Sequence, residues 1–327
     1  MLIWVDDVVI IAENRELVND FLASMREKFL IKDLGKLRYF LGIEFHIDDN
    51  QVTMSQPKYT RAILERFKMQ NSFRKSTPMV NNIHHELAFN KHSPKLDTIM
   101  TTRYRELVGS LIYLEQCTRP DIAVATNILG QQMANPTKFH WEVGKKVLRY
   151  LKHSVDYTIR YHKSDTLSLC AYSDADYAND ASDRKSQSGY LTYLSTTSSP
   201  ISWSSRKQTL VANSTTYAEY IAMSETACEL VWIQSLLESL NFDDIKYVPA
   251  VLWADSQTAL SLTENPKHHR RTKHIDIKYH HLRDLISRGV IDAKFIGTKE
   301  NRADGFTKPL GPTKFKEFLT HTVATYD

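Results

Sequence analysis

The apolar pattern changes period after His162, and this change limits the possible fold more than any other feature of the chain. Leu167 to Tyr177, Gly189 to Ser195 and Pro200 to Gln208 read as three successive strands. Ser214 to Leu240 then reads as one long helix, whose later apolar positions Leu230, Ile233, Leu237 and Leu240 keep a 3.6-residue period. A short apolar strand at Val248 to Ala254 follows, then a helix from Ser256, a helix over His274 to Ser287, a strand at Ile291 to Ile296 and a terminal helix. This order predicts an α/β fold, a mixed sheet with helices on its faces.

The first half has a different character. Leu2 to Ala12 predicts two short strands with Asp6 and Asp7 at the hairpin tip. Glu16 to Phe29 has helical spacing, through Leu17, Phe21, Met25 and Phe29. Tyr39 to His46 and Gln51 to Ser55 predict a hairpin turning through Asp48-Asp49-Asn50, and Lys58 to Phe67 is again helical. Asn71 to Thr98 is polar, contains Pro78 and Pro94, and predicts a linker or extended crossing. Tyr104 to Leu151 predicts three packed helices, broken at Arg119-Pro120-Asp121 and at Asn135-Pro136-Thr137.

A chain of 327 residues, 42% of them hydrophobic, can bury a sizeable core in two or three domains. Its net charge of +4 fits a nucleic-acid partner without demanding one. Cys117, Cys170 and Cys228 are scattered, which argues against a disulfide framework or a cysteine zinc site. The N-terminal apolar stretch is interrupted by Asp6 and Asp7 and lacks a basic leader. The expectation is an intracellular protein, in cytoplasm or nucleus, with no membrane partner. The chain opens inside a predicted strand, as a fragment of a longer protein would.

Four carboxylates fall at predicted element ends. Asp174 lies in the first strand of the second half, Glu219 in the first turns of the long helix, Asp255 at the end of the fourth strand, and Asp304 near the last helix. In such a sheet these ends converge on one edge, and four carboxylates meeting there repel unless cations neutralise them. Two Mg²⁺ ions roughly 4 Å apart would do so, and would activate water against a phosphodiester. Taken singly, each residue also has a structural explanation. Asp255 with Ser256 forms a helix cap, Asp304 suits a helix dipole, Glu219 resembles the solvated Glu225 and Glu229, and Asp174 is interchangeable with Asp176.

The flanking residues narrow the choice. Tyr172-Ser-Asp-Ala-Asp-Tyr-Ala178, Asp183-Arg-Lys-Ser-Gln-Ser-Gly-Tyr190, Pro200-Ile-Ser-Trp-Ser-Ser-Arg-Lys-Gln208 and Ser214-Thr-Thr-Tyr-Ala-Glu-Tyr220 are followed by Trp253-Ala-Asp-Ser-Gln257, Arg271-Thr-Lys-His-Ile-Asp-Ile277 and Ala303-Asp-Gly-Phe-Thr-Lys-Pro-Leu310. In this order they resemble the ribonuclease H domain of copia-type retrotransposon Pol polyproteins. Trp4-Val-Asp-Asp7, Asp33-Leu-Gly-Lys-Leu-Arg-Tyr-Phe-Leu-Gly-Ile-Glu44 and Leu107-Val-Gly-Ser-Leu-Ile-Tyr-Leu114 resemble the reverse transcriptase of the same polyproteins.

The resemblance implies a truncated reverse transcriptase palm over 1–70, a linker and helical thumb or connection over 71–164, and a ribonuclease H domain over 165–327. That last domain would have a mixed five-stranded sheet flanked by helices. The implied activity is hydrolysis of the RNA strand of RNA–DNA hybrids. Asp174, Glu219, Asp255 and Asp304 would be the catalytic carboxylates, holding Mg²⁺ with Mn²⁺ able to substitute. Glu219 would also contact the RNA 2′-hydroxyl. Asp6 and Asp7 would be vestigial polymerase residues, because polymerase chemistry needs a further aspartate from an upstream strand. Other Pol components are implied partners. A non-catalytic nucleic-acid-binding relic is the alternative.

Substrate phosphates would be held by Arg206 and Lys207, and by Arg270, Arg271 and Lys273 of the cationic run Lys267 to His274. The nearby histidines His268, His269, His274, His280 and His281 match no standard zinc spacing. One departure from the ribonuclease H pattern stands out. The loop Gly297-Thr-Lys-Glu-Asn-Arg302 lacks the histidine that many of these enzymes carry, and Glu300 is the residue there that would substitute in part.

Overall fold

The computed structural model describes residues 1–163, 167–180, 183–242, 249–264 and 273–324, apart from the side chains of residues 264 and 273–279. β1 (Leu2–Trp4) and β2 (Asp7–Val9) form a hairpin in which Trp4 faces Asp7, with Val5 in the left-handed region at the turn. α1 (Arg15–Arg26) follows, capped by the Asn14 side chain. The predicted strand at 39–46 is split. β3 (Tyr39–Phe40) and β4 (Ile43–Ile47) flank a Leu41-Gly42 turn with positive φ at both residues. β5 (Gln51–Ser55) leads directly into α2 (Pro57–Arg66).

The segment expected to be an extended linker instead contains α3 (Ile83–Phe89), with Met79 and Ile83 buried. Two apolar residues four apart anchor this turn of helix in the core, a tertiary effect that local pattern does not register. α4 (Thr98–Thr118) begins on an Asp97 cap. A 3₁₀ turn at Pro120–Ile122 joins it to α5 (Ala123–Gly130), and α6 (Lys138–His153) begins on a Thr137 cap. The three predicted helices are therefore present. β6 (Thr158–His162), for which the sequence pattern gives no signal, returns to pair with β5 and closes an antiparallel sheet of order β3-β4-β5-β6.

The rest of the chain builds the second sheet from β7 (Cys170–Asp176), β8 (Gln187–Tyr193) and β9 (Ser202–Lys207), followed by α7 (Thr215–Ser239). Then come β10 (Ala250–Ala254), α8 (Gln257–Glu264), α9 (Lys273–Ser287), β11 (Ile291–Phe295), α10 (Asp304–Thr307) and α11 (Pro312–Thr322). The strand order is β11-β10-β7-β8-β9. β7, β8 and β9 are antiparallel neighbours, whereas β10 runs parallel to both β7 and β11. This is the ribonuclease H-like mixed five-stranded sheet that the resemblance implied.

Both faces of the sheet are covered. Cys170, Tyr172, Leu191 and Tyr193 join Phe306, Phe315 and Phe318 and the apolar sides of α4, α5 and α6 in one continuous core. Ala171, Leu252 and Ala254 pack against Met223, Leu230 and Ile233 of α7 and Leu282 of α9 on the other side. Among the described residues no helix is long and apolar enough to cross a membrane.

Candidate metal centre

The register of the sheet brings the first two carboxylates together. β10 lies parallel to β7 with Ala254 beside Ser173, so Asp255, just past the end of β10, falls near Asp174 of β7. The third comes from α7, whose first turn is capped by Ser214 accepting from the Tyr217 amide at 3.3 Å and which packs across β7 and β8. This places Glu219 over the same spot. Carboxylate oxygens of Asp174, Glu219 and Asp255 all lie within 4.8 Å of one another.

Local ambiguities resolve in this geometry. The cap of α8 is supplied by Ser256, whose Oγ accepts from the Ala259 amide at 3.2 Å, which leaves the Asp255 carboxylate to the cluster. Asp174 belongs to the group and Asp176 does not. Asp304 sits at the start of α10 beside the cluster, close enough to oppose ionisation of Asp174, but its own carboxylate is paired with Lys308.

The electrostatics are those of a site short of positive charge. Burial is the main cause that pushes the Asp174 carboxyl up to about 6, opposed by a hydrogen bond from Thr307 and reinforced by Asp255 and Asp304. Burial, then Asp174 and Asp255, push Glu219 up to about 9, although the Ala175 amide donates to it. Glu219 Oε2 is buried with no hydrogen-bond partner. An orphaned acceptor facing two other carboxylates fits a hard divalent cation, because oxygen-only donors are what such ions select.

Sequence reasoning gave no role to the residues that hold this arrangement. Thr307 Oγ1 donates to Asp174 Oδ2 at 2.5 Å. Asn301 Nδ2 donates to the Ser173 carbonyl at 3.0 Å, pinning the last segment to β7. Both residues lie within or beside the motif that carries Asp304, but nothing in their spacing marks a contact with β7. Close approach of α10 also requires Gly189, which pairs with Asp174 in the ladder. A Cβ there would lie 2.7 Å from Phe306 Cβ and 2.9 Å from Thr307 Cγ2. Gly189→Ala is therefore expected to destabilise the chain by about 1–3 kcal/mol, read as a lower urea midpoint. An unchanged midpoint would show that α10 yields freely.

The predicted phosphate-binding residues are divided. Arg206 is exposed on β9, whereas Lys207 is held by Asp180 at 2.5 Å and Asp183 at 3.0 Å. Arg270 and Arg271, and the Lys273 side chain, lie outside the described residues, as do His268, His269 and the His274 side chain. No histidine joins a metal-binding group among the described residues. Asp6 and Asp7 are exposed at the hairpin, and no third carboxylate gathers with them among the described residues. Glu300 is exposed and is not part of the carboxylate group.

Comparison with known proteins places these features in context. The family model described as reverse transcriptase (RNA-dependent DNA polymerase) matches residues 1–81. The retrovirus-related Pol polyprotein from transposon TNT 1-94 of Nicotiana tabacum is 37% identical over 97% of this chain, which spans 24% of that protein. The uncharacterized mitochondrial protein AtMg00810 of Arabidopsis thaliana is 35% identical over 71% of this chain and 93% of its own length. Among solved structures, an N-terminal RNase H domain from Mycobacterium tuberculosis aligns with 43% of this chain and 91% of that one, at a TM-score of 0.31 and 13% identity.

Proposed function

The chain belongs to the copia-type retrotransposon Pol polyprotein family, and from that premise we propose that its C-terminal sheet domain is a ribonuclease H that hydrolyses the RNA strand of RNA–DNA hybrids. The observation that carries the reading is the buried Glu219 oxygen left without a partner between Asp174 and Asp255. The proposed partition is a palm portion over 1–70, a linker and helical connection over 71–164 and the nuclease over 165–327, with other Pol components as partners.

In this reading Asp174, Glu219 and Asp255 hold a divalent cation, with Asp304 joining when Lys308 releases it. Mg²⁺ is the proposed ion, with Mn²⁺ able to replace it. When bound, the ion would lower the pKa of a water and neutralise charge on the phosphodiester. The chain's own residues supply the rest. Thr307 orients Asp174 and keeps one of its oxygens engaged, so the other is presented to the site. Glu219, at the start of α7, is placed to accept from an RNA 2′-hydroxyl, which DNA lacks. Lys308 balances charge at the rim, where a phosphate would approach.

The test is direct. The purified chain is incubated with a labelled RNA–DNA hybrid, with RNA duplex and DNA duplex as controls. Cleavage of the RNA strand of the hybrid alone, dependent on Mg²⁺ or Mn²⁺ and abolished by EDTA, is expected. Hybrid binding without cleavage at any concentration of either ion would replace the nuclease with a binding role.

A further inference from the structure

We infer that the cavity between α4, α5 and β9 is a binding site for one unpaired nucleotide of a nucleic-acid strand. The inference rests on the ribonuclease H reading and extends it to a second contact with the same substrate. The cavity holds about 580 Å³, within the range of small-molecule sites. It lies along β9, the outer strand of the five-stranded sheet, which α5 packs against without filling the space.

The lining supplies each kind of contact a nucleotide requires. The Trp203 indole Nε1–H donates to Glu115 Oε1 at 3.0 Å and to the Glu115 carbonyl at 3.2 Å, which fixes an aromatic plane in the wall. Asn127 Oδ1 accepts from Gln131 at 2.8 Å and Gln187 at 3.3 Å, so its amide is oriented and its Nδ2 donors remain for a base edge. Arg206 adds an exposed guanidinium for a phosphate. Stacking plane, amide and cation together are the elements of single-strand recognition.

The position also suits the substrate. Ser205 pairs with Gly189, which pairs with Asp174, so the cavity wall stands two strand spacings, roughly 10 Å, across the sheet from the carboxylates. On that face Phe306 and Thr307 of α10 lie against Gly189, between the two, so a strand would reach the cavity by passing over α10.

The experiment measures binding of the full chain, in EDTA so that nothing is cleaved, to two fluorescein-labelled RNA–DNA hybrids. One is blunt and the other carries a five-nucleotide single-stranded DNA overhang. The overhang should tighten Kd about tenfold. Gly130→Phe should erase that advantage and leave blunt-hybrid binding unchanged, since a Cβ at this lining position meets open space. Arg206→Ala, at an exposed lining position, should cut the advantage severalfold, and it decides the matter if Gly130→Phe fails to fold. Equal affinity for the two hybrids, or an advantage unchanged in the variants, overturns the site alone. Failure to bind either hybrid in EDTA and again with Mg²⁺ overturns the nuclease reading together with it.

Discussion

Glu219→Gln is expected to lower hybrid hydrolysis on the order of 10³-fold while making the metal-free chain more stable at neutral pH. The two effects share one cause. Burial, Asp174 and Asp255 hold the Glu219 carboxyl near 9 against an ordinary value of 4.5. Between those values the folded chain keeps a proton that the unfolded chain releases. Stability therefore falls as pH rises from about 4.5 to about 9, and the acid costs nothing below that window. Glutamine removes the titration, so the variant should exceed the parent by up to about 4 kcal/mol at pH 7.5. The two should converge near pH 4. Added Mg²⁺ should reverse the order, because an ion that binds only the folded state stabilises the parent through linkage. Urea denaturation from pH 4 to 9, with EDTA or with Mg²⁺, checks every part. A glutamine variant less stable at all pH values would mean that the cluster is a structural network and not a metal site.

Arg119 should show the largest loss of stability. Its guanidinium is 2% exposed and binds Asp121 in bidentate fashion at 2.8 and 2.6 Å. It also donates to the Ser154 carbonyl at 2.9 Å and to Ser154 Oγ at 2.6 Å. Tyr150 donates to Asp121 Oδ2 at 2.5 Å, and the rings of Tyr150 and Tyr157 flank the guanidinium. One residue thus joins the end of α4, the 3₁₀ turn and the end of α6, and Tyr150 carries the contact on to Phe315 of α11. Arg119→Ala leaves Asp121 charged and buried, and should cost about 3–5 kcal/mol. Arg119→Met combined with Asp121→Leu removes both charges and should recover part of that loss. A urea midpoint for Arg119→Ala within error of the parent would show that water or rearrangement satisfies Asp121.

The contrast between these two sites shows what a linear reading can reach. Asp174, Glu219, Asp255 and Asp304 drew attention because they sit at element ends inside recognisable flanking segments. Arg119-Pro120-Asp121 reads on the same page as a helix break, and it is one. Nothing in the string says that its charges turn inward, because that depends on Ser154 and Tyr150, about thirty residues away. Thr307 and Asn301 were unreadable as supports for the same reason. Each acts on β7 more than a hundred residues earlier in the chain.

By itself the sequence determined the alternation of periods, and hence the mixed sheet, its helices and the family. Side-chain spacing is a local property of helices and strands and survives in one dimension. Only the tertiary structure decided that 71–98 contains a helix anchored by the buried Ile83 and that β6 joins the sheet of β3, β4 and β5. It alone decided that Thr307 holds Asp174, that Asn301 pins the last segment to β7 and that Lys308 pairs with Asp304. Those outcomes depend on burial and register between distant segments, where a carboxylate's partners and its proton are set by what the fold places against it.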